Sequence, residues 1–158
     1  MHLFKLAGSR FFLGRCMIMT ILRSYILISS VTSWFAAQFI KVFIGAYQTR
    51  KRNVIKLIIS SGGMPSSHSA VVSALSTASF REYGIASFQF SISVVLALIV
   101  IQDAVGVRNQ VGKQAKIINE MSEGSITNLK ELVGHTPFQV CVGTLLGIAI
   151  AASLWYVI

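Results

Sequence analysis

Apolar positions in this chain fall in long blocks, and the polar positions gather between the blocks instead of alternating with them. The run over 24–47 is broken only by Gln38 and Lys41, which at about 20 residues per crossing predicts a first membrane helix. A basic loop at 48–56 leads into the stretch SSGGMPSSHSA, followed by an apolar and small-residue helix over 67–80 that a turn at 81–84 closes. A third apolar segment spans 85–107 and ends in QDAVGVR. Residues 109–131 are polar, helical at first in QAKIINEM and then loosened by SEGS. The last apolar block runs over 136–158. The expected fold class is therefore all-α: an integral membrane bundle of about four transmembrane helices with polar loops on one face.

Counting crossings needs no motif. If the first span ends on one face, the second starts there, the third returns there and the fourth departs from it. The SSGGMPSSHSA stretch, Asp103, Arg108 and His135 then share one face, with Lys41 less than two turns inside it at ~1.5 Å per residue. Ionisable groups within a bilayer are costly and face the bundle interior or water, which makes Lys41 and Asp103 functional candidates.

Composition sharpens this. Hydrophobic residues make up 54% of the chain and charged residues 12%, with mean hydropathy +0.70, whereas soluble domains carry about a quarter charged residues. The 158 residues allow one compact unit of a few spans. Residues 24–158 are read as that unit, and residues 1–23 as a basic interfacial segment or as an extension from a start placed before a true start at Met17 or Met19. The net charge is +9, but the cations flank apolar segments, which points to anionic headgroups or phosphate and away from nucleic acid. Cys16 and Cys141 lack metal-type spacing and are read as packing residues; no metal site is expected.

Within GGMPSSHSA, Gly63 belongs to a glycine pair that frees the backbone, Pro65 suits a first-turn position, and Ser66 and Ser67 can cap the helix. The free N–H groups of that turn suit an anion, and His68 sits beside them. A capped helix with a merely structural histidine reads equally well from this motif alone. The late motif GHTPFQVCVG repeats the design, with His135 before the helix, Thr136 as N-cap and Pro137 as first helical residue. One imidazole to attack phosphorus, a second to protonate the leaving oxygen and cations to spread the charge is a coherent set. Two of the chain's three histidines open helices on the same face.

These residues resemble the type 2 phosphatidic acid phosphatase superfamily, which shares its fold with vanadium-dependent haloperoxidases. More narrowly, GGMPSSHSA, the DAVGVR segment and GHTP, in that order, resemble its small divergent branch in bacteria and plastids. The resemblance covers about 34–158. It implies His135 as a nucleophile forming a phosphohistidine, His68 as general acid, and Lys41, Arg108, Gly63, Ser66 and Ser67 as the phosphate cradle, with no metal and no cofactor.

The chain departs from the superfamily pattern in three places. The superfamily lysine precedes an arginine by seven positions, whereas seven past Lys41 is Gln48 and the next arginine is Arg50. The superfamily arginine lies about six residues before the nucleophilic histidine, whereas Arg108 lies 27 before His135. The orienting aspartate four residues after that histidine is here Gln139, which completes a Thr136-x-x-Gln139 capping box. Asp103 is then either a substitute orienter for the histidine or an ion-pair partner of Lys41 or Arg108. Lys113 and Lys116 either touch a headgroup or are solvated.

The expected function is a membrane phosphatase acting on a phospholipid or polyprenyl phosphate or pyrophosphate, in a bacterial inner membrane or plastid-type membrane. The rivals are a phosphate- or headgroup-binding protein without turnover, favoured by Gln139, and a small transporter or channel component. Counting flanking cations gives eight on the site face and five on the other, which favours a cytoplasmic site.

Overall fold

In a computed structural model, described for residues 24–49, 63–121, 129 and 134–157, the chain forms five helices and, among these residues, no strand. They are α1 (Tyr25–Thr49), α2 (Ser67–Tyr83), α3 (Phe88–Val105), α4 (Val107–Met121) and α5 (Pro137–Leu154). The basic loop with Arg50, and the whole of 1–23, lie outside the described residues.

Among the described residues, three stretches are long and apolar enough to cross a membrane: Tyr25–Tyr47, Phe88–Met121 and Pro137–Leu154. Helix α2, the second of the four expected spans, is rich in serine and alanine. It needs no lipid-like surface because it stands in the middle, packed against α1, α3 and α5. Large apolar side chains point outward, among them Phe35, Phe39 and Phe43 on α1 and Leu98 and Ile99 on α3. Small and polar residues point inward. Lipid tails are as apolar as leucine, so close van der Waals approach between small residues holds such helices together.

The joint between α2 and α5 makes this concrete. Gly143 and Gly147, one turn apart, lie directly on the backbone of α2; a Cβ at either would overlap the carbonyl oxygen of Ser66 or Ala70. Ala151, one turn further, is fully buried, as are Ala70, Ala74 and Ala78 on the facing side. On α1 the buried face follows the same four-residue step, from Tyr25 through Ser29, Ser33 and Ala37 to Lys41. That step is why Lys41 points into the bundle.

Three expected boundaries move. Helix α2 continues through 81–83, and Gly84 at φ 80° ends it. The third segment breaks at Gly106 into α3 and α4, and α1 runs on to Thr49, leaving Lys41 slightly more than two turns from its end. Cys141 is exposed on the outer side of α5, so it is not a packing residue; Cys16 lies outside the described residues.

Candidate active site

The starts of α2 and α5 meet at one end of the bundle, and each is built by its local sequence. Ser66 is the N-cap of α2: its buried hydroxyl accepts the backbone N–H of Ser69 at 3.4 Å and the Ser69 hydroxyl at 3.0 Å. Thr136 caps α5 in a complete capping box, accepting from Gln139 N at 3.3 Å while Thr136 N donates to Gln139 Oε1 at 3.1 Å. The two caps are tied together, since Ser66 N donates to the Gln139 carbonyl at 3.2 Å. The joint at Gly143 and Gly147 continues that contact down the helices.

This brings the two histidines together. The His68 and His135 rings lie 6.4 Å apart between centroids, tilted by 54°. His68 is exposed at the first turn of α2, whereas His135 is 2% exposed. The backbone holds His135 from two sides: its N–H donates to the Ala104 carbonyl at 3.2 Å, and Asn109 Nδ2 donates to its carbonyl at 3.2 Å. Gly134 permits the approach, because a Cβ there would overlap the Asn109 backbone.

Cations surround the pair. Lys41 is 4% exposed, and its methylenes run past Gly63, whose φ of 108° suits glycine. Arg108 Nε donates to Asp103 Oδ2 at 2.5 Å, a bond that leaves the terminal nitrogens of the guanidinium uncommitted by the pair. Lys41 and Arg108 both act electrostatically on both histidines, and Asp103 acts on His68. Among the described residues Asp103 has no hydrogen bond to His135; its bonded partner is Arg108. Ser67, like Ser66, is buried in the cap. Lys113 stands apart, exposed on α4.

Burial holds the His135 imidazole below the ordinary histidine pKa; the Gln139 side chain pulls the other way, and Lys41, His68 and Arg108 add to the lowering. Gln139 comes close enough to favour the charged ring, yet no hydrogen bond reaches His135 Nδ1, which is enclosed without a partner among the described residues. The Gln139 side-chain oxygen, Oε1, is occupied by the capping box. The arrangement is thus a neutral, buried imidazole facing an exposed one, with two cations and one carboxylate that belongs to the arginine. Asn109 was missed in the sequence, where it reads as the start of a polar stretch. Its signal is its place next to Arg108, in the first turn of a helix that must turn back toward the GHTP motif.

Among the described residues no cluster of histidine, cysteine and carboxylate side chains could hold a metal ion. A model of the family described as the divergent PAP2 family matches residues 22–150. The chain is also similar to the uncharacterized membrane protein YuiD of Bacillus subtilis (strain 168), at 38% identity over 156 residues, covering 87% of this chain and 98% of that protein. No solved structure matches.

Proposed function

This chain belongs to the divergent PAP2 family, and from that premise we propose that it is a membrane phosphatase that hydrolyses a phosphate or pyrophosphate on a phospholipid or polyprenyl carrier. The observation that carries the reading is the 6.4 Å approach of two imidazoles from distant parts of the sequence. An imidazole nitrogen of His135 attacks phosphorus, and the bond to the leaving oxygen breaks as that oxygen takes a proton from the His68 imidazolium. Water then attacks the phosphohistidine, its proton passes to His68, and the phosphorus–nitrogen bond breaks to release phosphate and restore His135. His68, being exposed, exchanges protons with water. His135, being buried and below its usual pKa, is neutral near pH 7 and keeps its lone pair.

Lys41 and the terminal nitrogens of Arg108 stabilise the negative charge that builds on the phosphoryl oxygens, and the first N–H groups of α2 add to this. Asp103 orients Arg108 by their shared bond. Arg50 belongs to the proposal only through the sequence. A tail that stays in the bilayer suits a site at the helix ends. The excess of flanking cations supports a site opening to the cytoplasm.

A second reading has its own observation. Among the described residues His135 Nδ1 is enclosed and without a partner, where a carboxylate would orient the ring and stabilise its charge; a protein that binds a phosphorylated headgroup without turning it over would tolerate this. The test is purified protein incubated with phosphatidic acid, phosphatidylglycerophosphate or undecaprenyl pyrophosphate in the presence of a chelator, beside His68→Ala and His135→Ala. Phosphate released by the native protein and by neither variant supports the phosphatase. Binding without release in all three supports the second reading.

A further inference from the structure

Helix α4 has three distinct faces. Gly112 and Ala115 are buried toward the protein. Lys113, Lys116 and Glu120, at i, i+3 and i+7, form a charged face, on which Lys116 and Glu120 pair at 3.8 Å while both remain 64% exposed. The third face is mostly apolar and open: Val107, Val111, Ile118 and Met121 follow steps of four, seven and three residues, with Ile117 beside them and a single polar residue, Gln114, among them, and all are exposed.

Its position in the chain says what this open face meets. The helical stretch containing α3 and α4 is 34 residues long, about 50 Å if straight at ~1.5 Å per residue, whereas the hydrocarbon core is about 30 Å thick. The 18 residues of α3 nearly fill that thickness. The helix breaks at Gly106, and α4 starts one residue later, so it begins at the bilayer boundary whichever way it then runs. A helix that starts there with one apolar face unpartnered and one face charged meets both of its solvents only when it lies along the boundary.

We infer that α4 is an in-plane interfacial helix: Val107, Val111, Ile118 and Met121 rest in the acyl chains just below the headgroups, and Lys113 and Lys116 face anionic headgroups. The lysines supply the charge complementarity, since Glu120 offsets only one of them. Arg108 and Asn109 occupy the first turn of the same helix, so the membrane surface fixes the depth at which the guanidinium and the His135 loop stand. The inference does not depend on catalysis.

The test is nitroxide accessibility in nanodiscs containing phosphatidylglycerol. The full chain carries Cys16→Ser and Cys141→Ser, and a spin label is attached through Val111→Cys, Ile118→Cys, Lys113→Cys or Glu120→Cys, all exposed positions. Labels at 111 and 118 are expected to collide severalfold more with oxygen, relative to a water-soluble nickel chelate, than labels at 113 and 120, at a depth of about 5–10 Å. Equal, water-like access at all four positions overturns the inference. So does low access to both reagents at 111 and 118, which would mean that residues 1–23 or a second copy of the chain cover the face.

Discussion

The two ends of the bundle are built from the same helices and differ in how their polar groups are satisfied. At the end away from the histidines, the Arg81 guanidinium lies 5.7 Å from the Trp155 ring and 5.5 Å from that of Tyr156. Tyr25 packs edge-on to Trp155 at 5.2 Å and donates its hydroxyl to the Ala151 carbonyl. At the same end Phe80 and Phe90 form a further ring pair, 5.5 Å apart. The charged and phenolic groups of this cluster, Arg81 and Tyr25, both have partners, in the manner of an aromatic anchor at a membrane interface; the one unsatisfied polar atom near them among the described residues is the buried hydroxyl of Ser29, a neutral group. At the histidine end, one ring nitrogen has no partner, a buried lysine forms no ion pair among the described residues, and the carboxylate is spent on an arginine. Folding alone rewards the first arrangement. The second is sensible if an anion completes it, which is the physical ground for looking for function at one end only.

The comparison breaks most sharply under replacement of His68. His68→Asn is expected to lower phosphate release on the order of 10²–10⁴-fold, the usual contribution of a general acid, with no change in thermal unfolding because the side chain is exposed. A loss of stability matching the loss of activity would make His68 a structural group like those at the far end.

Next in size is the joint that couples the ends. Gly147→Val forces a branched side chain into the Ala70 carbonyl and is expected to cost about 3 kcal/mol or more, as overpacking a tight contact does. It should also abolish phosphate binding by parting the two caps. Ala149→Val, two residues away on an exposed position, should do neither. Thermal unfolding in detergent, read beside phosphate binding, checks both.

This joint also marks what the sequence revealed. The helix starts at Ser66 and Thr136 were legible because capping residues act locally, helped at Thr136 by the following Pro137, whereas Pro65 stands just before the Ser66 cap and not in the first turn; the meeting of the motifs on one face followed from counting crossings. The centrality of α2 was not legible as such: its serines and alanines read as a weakly apolar span, whereas they are small because three neighbours press on them. Gly143 and Gly147 were in plain view at a spacing of four, but a glycine pair says that some backbone comes close without saying whose. The partner of Asp103 was left open between orienting His135 and pairing with a cation, since only the turn at Gly106 decides which group a side chain five residues away can reach.

A smaller effect belongs to the aromatic end. Arg81→Ala removes two cation–π contacts, each worth about 0.5–1 kcal/mol when exposed, and is expected to lower stability by about 1–2 kcal/mol while phosphate binding stays unchanged. An equal weakening of binding would mean that the two ends are not independent.

The smallest effect separates the ends by pH. Arginine stays charged throughout the accessible range, so the Arg81→Ala penalty should be the same from pH 5 to 8. His135 behaves otherwise, because burial holds its folded pKa below the ordinary value of about 6.5. As pH falls through 6.5, the unfolded chain takes a proton at this residue that the folded chain still refuses, so the unfolded state binds more protons and stability falls. The loss continues until the folded ring protonates as well, with a slope of at most about 1.4 kcal/mol per pH unit for one proton. Chemical denaturation of the native protein and of His135→Asn across that window should show the slope in the first and a flatter line in the second. Adding a phosphate ester should shrink the loss if an anion between Lys41, Arg108 and the two rings raises the folded pKa of His135 toward the unfolded value, because the window closes where the folded ring protonates. A loss that ignores the ester would mean that the cations at this end do not share a ligand with His135.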